Sequence, residues 1–163
     1  MDDTLQLAGL PLHPLLVHAV VVLTPLVVLA LLLAQVWPAA RRRLGVVTPL
    51  GALAVLALVP LTVRAGRELA EVVGPIPAVA THQAYGERLL PWVIGLFVVA
   101  VVQWVWFRWG EPTYRSPDRP ATFRRAVWWV LAVATVVVAA GTTWLLVLTG
   151  DSGTRAVWGG FGG

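Results

Sequence analysis

Four stretches of this chain contain no Asp, Glu, Lys or Arg: Pro14 to Trp37, Leu44 to Val63, Leu89 to Phe107 and Ala126 to Thr149. In an α-helix rising about 1.5 Å per residue, roughly 20 residues cover the ~30 Å hydrocarbon core of a bilayer, so each stretch is long enough to cross. A helix of a soluble bundle needs a wet face, and none of the four has a polar stripe long enough to provide one. The reading is an all-α, four-helix transmembrane bundle, a single membrane domain over residues 1–163. Composition agrees, since only 12% of the residues are charged, against about a quarter in ordinary soluble domains.

Helix ends have local signals. Pro14 suits a first helical turn, where its missing N–H is no loss, and Pro38 ends the first helix. Thr48-Pro49 offers a later start for the second, so the first loop extends to residue 47. That helix is expected to continue past the membrane to Val73, with Arg64–Glu68 and Arg67–Glu71 as i,i+4 pairs, until Gly74-Pro75 stops it. Thr81 is a candidate N-cap for a third helix starting near residue 82, which Pro91 would kink. Thr122 could cap the fourth helix and Gly150 close it. Glu111 to Pro120 reads as a connector and Asp151 to Gly163 as a loose tail. Gly51, Ala54 and Ala57, and Ala132, Ala140 and Gly141, are candidate small contacts for close helix packing. No short-period repeat is evident.

The arginines set the orientation. Arg41, Arg42, Arg43, Arg108, Arg115, Arg119, Arg124 and Arg125 fall in the two odd loops, while Arg64, Arg67, Arg88 and Arg155 lie on the other side. The bias places the odd loops in the cytoplasm and both termini outside. Trp37, Trp104, Trp106, Trp109, Trp128 and Trp129 would form an aromatic belt at the inner interface. The start, Met1-Asp2-Asp3, lacks the basic region of a cleaved signal peptide, and the first apolar run is too long for one. The expected location is the bacterial plasma membrane.

Cysteine is absent, which excludes disulfides, thiolate metal sites and covalent c-type haem attachment. Walker loops, G-x-S-x-G and H-E-x-x-H are also absent. No charge lies mid-membrane, which argues against an ion carrier. The net charge of +4 belongs to the topology signal, so nucleic acid is not an expected partner.

Chemistry concentrates at one membrane face. His13 and His18 open the first span, Arg64, Arg67, Glu68 and Glu71 follow the second, and His82 and Glu87 precede the third. His18 lies about 6 Å into its helix, where an ionisable group needs a partner. Five residues from His13, it is turned by about 140° and does not share that residue's face. His18 is therefore expected to face the bundle interior and meet His82 or the Arg64–Glu71 segment, with Val21, Val22 and Pro25 inward and Val20, Leu23 and Val27 nearer to lipid. Three readings stay open. The histidines could be satisfied structural groups. His18 and His82, with His13 beside them, could ligate haem b. Or a non-haem metal could use histidine with Glu68, Glu71 or Glu87.

The run Gly9-Leu-Pro-Leu-His13-Pro14-Leu-Leu-Val17-His18 resembles the opening H-P-x-x-V-H pattern of the bacterial membrane-protein family catalogued as domain of unknown function 2231. Thr62-x-x-x-Gly66-x-x-Leu69 and His82-x-x-x-Gly86 are further matches, so the resemblance spans roughly Gly9 to Val105. Ala19-Val20 departs from the Phe-Pro of many relatives. The resemblance implies a four-helix membrane protein without an assigned reaction, and an association with c-type cytochrome modules points to redox. The expected function is a multi-pass membrane protein with a histidine-bearing outer face, haem-linked and redox-related, acting with a membrane redox partner or a second copy. The alternative is a cofactor-free structural or assembly subunit docking on a larger membrane complex. No catalytic residue is assigned.

Overall fold

The computed structural model describes residues 6–7, 10–114 and 120–159. A two-residue antiparallel ladder, β1 (Gln6–Leu7) with β2 (Leu10–Pro11), precedes helix α1, Leu12–Val36. The short α2, Pro38–Leu44, leads through Gly45 into α3, Val47–Val73. Helix α4, Pro77–Val105, passes into a π-helical turn, Trp106–Gly110, and the single turn α5, Glu111–Thr113. Helix α6, Ala121–Trp158, completes an all-α bundle whose four long helices are each apolar and long enough to span a membrane.

The helix ends follow backbone chemistry. Gly45 and Gly74 have φ of 44° and 89°, left-handed values that favour glycine after a helix. Four expectations about ends are corrected. Helix α3 starts at Val47, so Thr48 lies inside its first turn and does not cap it. Helix α4 starts at Pro77, whose fixed φ suits a first turn, and Thr81 lies one turn inside with its hydroxyl donating to the Pro77 carbonyl at 3.0 Å. Helix α6 starts after Pro120, with no side-chain cap from Thr122. Nor does Gly150 close α6, which runs on to Trp158 with an Asp151–Arg155 pair of 3.0 Å on its surface. The rest of the expected tail, residues 160–163, and residues 115–119 of the expected connector lie outside the described residues.

The helices close a ring in the order α1, α3, α4, α6, with α1 meeting α6. Val20, Leu31, Ala52, Val55, Val93, Leu96 and Ala139 belong to its core. The outer surface is apolar too: Leu26, Leu29, Val133, Val136 and Val147 are each more than half exposed. Such continuous apolar surface on all four helices is a surface for lipid. The protein is a multi-pass membrane protein.

Helix α1 is rotated from its expected setting. Val20 and Val27 are buried and Leu23 is half-buried, whereas Val21, Val22 and Pro25 are exposed. In α3 the buried stripe is Thr48, Ala52, Val55, Val59 and Thr62, not the exposed Ala54 and Ala57. Gly51 does allow a close approach, because a Cβ there would stand 2.9 Å from Val27.

One long repeat underlies the bundle. The buried positions Val20, Thr24, Val27, Leu31 and Ala34 of α1 recur in α4, 69 residues on, as Leu89, Val93, Leu96, Ala100 and Gln103. Thr48, Ala52, Val55 and Ala65 of α3 recur in α6, 87 residues on, as Thr135, Ala139, Thr142 and Ser152. The α1–α3 and α4–α6 hairpins thus present the same register to the core. The change of offset comes from a longer connection and an earlier start of α6, and it hides the repeat from a scan at one period.

At the arginine-rich end the two hairpins are tied together by amides. Gln103 Nε2 donates to Gln35 Oε1 at 2.9 Å and to Thr135 Oγ1 at 3.2 Å, and Gln35 Nε2 donates to the Trp128 carbonyl at 3.1 Å. Arg41 folds back onto the end of α1, donating to the Ala34 and Gln35 carbonyls at 2.7 and 2.8 Å. It also pairs with Glu111 at 3.3 Å and lies over the Phe107 ring. Buried hydrogen bonds between membrane helices are worth about 0.6 kcal/mol each on average.

Candidate functional site: a paired-histidine cavity

His13 and His82 each reach across to the next spanning helix of their own hairpin. His13 Nδ1 lies 2.9 Å from the Thr62 carbonyl of α3, and His82 Nδ1 lies 2.9 Å from the Thr149 carbonyl of α6. Both carbonyls stand where a glycine follows four residues later, Gly66 and Gly153. A helical side chain tilts back toward the N-terminus, over the turn that precedes it. Glycine at i+4 therefore leaves the carbonyl of residue i open to a second donor. It also leaves room for the ring, since a Cβ at Gly66 would meet the His13 imidazole at 2.9 Å and one at Gly153 the His82 imidazole at 3.0 Å. The threonine hydroxyls are occupied elsewhere: Thr62 donates to Leu58 O at 2.8 Å and Thr149 to Leu145 O at 2.7 Å.

A carbonyl can only accept, so Nδ1 is the protonated nitrogen of each neutral ring, and Nε2 carries the lone pair. Ser152 Oγ, 3.3 Å from His82 Nδ1, adds a second polar contact on the same side. The two rings stand 6.1 Å apart, centre to centre, with their planes at 81°. They border a cavity of about 670 Å³ between the hairpins, within the roughly 300–1,000 Å³ usual for cofactor and ligand sites. Its lining is overwhelmingly apolar, with Val17, Val59, Val63, Leu69, Leu89 and Leu146 among the side chains.

The expected partnership of His18 with His82 is corrected. His18 is exposed and turns back on its own helix, with Nδ1 2.6 Å from the Pro14 carbonyl. It reaches the cavity only as part of the lining. The rotation of α1 decides this, because it turns His13 toward α3 and His82. Intrahelical bonding satisfies His18 without a second helix.

Several charged residues at this end pair with one another. Arg64 pairs with Glu68 at 3.2 Å, as expected. Arg67 turns from Glu71 to Glu87 of α4, with Nη2 at 2.8 Å, and Gln83 also donates to Glu87. Glu71 is exposed. Among the described residues no group of three His, Asp or Glu side chains is placed to hold a metal ion. The histidine-plus-glutamate metal reading therefore loses its ligand set.

The sequence reading missed Thr149, Ser152 and Gly153. The signal was present: Thr62-x-x-x-Gly66 recurs as Thr149-x-x-x-Gly153, and each copy follows a histidine-bearing helix. Searches with this chain against protein-family models, curated proteins and solved structures give no match, so the repeated histidine and threonine–glycine pattern rests on this molecule alone.

Proposed function

We propose that the chain is a membrane haem-b protein in which His13 and His82 would hold the cofactor iron in the cavity between the α1–α3 and α4–α6 hairpins. The carrying observation is the paired geometry: two imidazoles from separate hairpins, 6.1 Å apart, each with Nδ1 tied to a backbone carbonyl. Two imidazoles bordering one cavity, each with Nε2 outside any hydrogen bond among the described residues, are a donor set that a haem iron would accept. An Nδ1–H held by a carbonyl is the usual outer support of a metal-bound histidine, fixing the tautomer and aiming Nε2. Two protein ligands suffice where the cofactor brings four nitrogens of its own. Bound there, haem supplies one-electron transfer. The chain's part is to hold Nε2 in place, exclude water with valine and leucine, and keep both ligands on rigid helices.

The reading includes an extracytoplasmic site in a bacterial plasma membrane, supported by the arginines at the opposite end of the bundle. It also includes membership of the domain of unknown function 2231 family, supported by the convergence of His13, Thr62, Gly66 and His82 on one cavity. Partners of matching chemistry are a membrane electron donor or acceptor.

Absorption spectroscopy of the protein purified from haem-replete cells tests this. A Soret band that is lost or shifted in His13→Ala and in His82→Ala, and kept in His18→Ala, is the expected result. Colourless wild-type protein would overturn it in favour of a cofactor-free structural subunit. One observation favours that second reading: both Nδ1 atoms are already satisfied within the bundle. A reporter fused to the C-terminus should register outside the cytoplasm, and a cytoplasmic signal would refute the orientation.

A further inference from the structure

The opposite end of the bundle holds a second cavity, of about 240 Å³, lined by Trp106, Glu111, Ala121, Arg124, Arg125 and Trp128. Its chemistry is the reverse of the histidine cavity: cationic, with aromatic walls. Glu111, the acid in its wall, is engaged by Arg41 at 3.3 Å. No carboxylate among the described residues pairs with Arg124 or Arg125. Two arginines against one carboxylate that is already paired with Arg41 leave the charge facing this cavity net positive.

The walls are built as well as charged. The π-helical turn, Trp106–Gly110, folds the Trp106 ring over Gly110, where any Cβ would collide with it. That ring packs 6.1 Å from Phe123 and 5.7 Å from Tyr114, and Tyr114 lies 4.9 Å from Phe123. On the other side Trp128 stands edge-on to Trp129 at 4.8 Å. Tryptophans at the ends of spanning helices mark headgroup depth, and arginine concentrates where the facing leaflet is anionic.

We propose that this cavity binds the phosphate of an anionic phospholipid from the leaflet at the arginine-rich end. Arg124 and Arg125 take the phosphate oxygens, a fork geometry for which guanidinium is suited. The Trp106–Phe123 cluster lies against the glycerol and upper acyl chain. The site is independent of the histidine cavity.

Native mass spectrometry of the full chain in neutral detergent, with phosphatidylglycerol and phosphatidylcholine in competition, tests the proposal. Phosphatidylglycerol should be retained in preference. Arg124→Gln with Arg125→Gln should lower its retention about 10- to 30-fold, the effect of two cations at an anionic surface. Arg42→Gln with Arg43→Gln, on α2 and outside the cavity, should leave it unchanged. If the cavity double variant does not elute as folded protein, its two single variants are read instead, each losing about fivefold. Equal retention of the two lipids, or phosphatidylglycerol binding that survives loss of both arginines, would overturn the proposal. Inorganic phosphate that displaces phosphatidylglycerol and matches its thermal stabilisation would also overturn it, marking a free-anion site instead.

Discussion

The two ends of the bundle treat their polar groups in opposite ways. At the arginine-rich end Gln35, Gln103, Thr135 and Arg41 bond to one another and to helix carbonyls, and they cross-link the hairpins. At the histidine end each ring bonds within its own hairpin and keeps Nε2 uncommitted beside an apolar cavity. In a low-dielectric interior a polar atom is costly unless it has a partner. The first end uses this rule for cohesion. The second leaves lone pairs available beside a space large enough for a cofactor, so chemistry is to be sought there and stability at the other end.

Substitutions can break this contrast. The largest effect is expected for His13→Ala or His82→Ala, each abolishing or shifting the Soret band while thermal unfolding of the apo-protein changes far less. Should these variants instead unfold the bundle without any wild-type absorbance, the functional end would be structural. Next come Gly66→Ala and Gly153→Ala. Each adds a Cβ at 2.9–3.0 Å from an imidazole, an overpacking worth about 1–3 kcal/mol, and each covers the carbonyl that holds the ring. Weakened absorbance and a lower melting temperature are expected, read in parallel by spectroscopy and thermal unfolding. By contrast Thr62→Ala should leave the absorbance intact, because the Thr62 hydroxyl serves Leu58 and only its backbone serves His13.

At the other end Gln103→Leu should cost about 0.6–1.7 kcal/mol, the range of interhelical hydrogen bonds in membranes, and leave the spectrum unchanged. Detergent-unfolding midpoints measure the first effect. An altered Soret band in this variant would show that the two ends are coupled. The smallest effect belongs to Arg67→Ala. The Arg67–Glu87 pair is half-exposed, at 56% and 41% side-chain exposure, and such pairs are worth about 0–1 kcal/mol. A melting shift near the detection limit is expected.

The four spans, the run of α3 past the second span to residue 73, and its stop at Gly74 were legible because each rests on a local rule: charge-free length, unbroken helix-forming residues, a glycine free to take positive φ. The histidine end was legible as a region, since three histidines and the charges of α3 and α4 fall on one side of the spans. Which histidine faces which helix was not. Helix α1 is mostly valine and leucine, and its inward polar residues, His13, Thr24 and Gln35, stand eleven residues apart, a stripe too sparse to read beside His18, so its rotation is set by packing against α3 and α6. That rotation buries Val20 and Val27, exposes His18, and brings His13 to within 6.1 Å of His82. Thr149 and Gly153 escaped for a related reason. Gly150 looks like a helix stop by local propensity, yet α6 runs on to Trp158, and Gly153 within it uncovers the Thr149 carbonyl that holds His82. Sequence by itself determined that the chain is four apolar helices with its histidines at one end. Tertiary packing decided the pairing, because a helix that is apolar over most of its surface is fixed in rotation only when another helix is beside it.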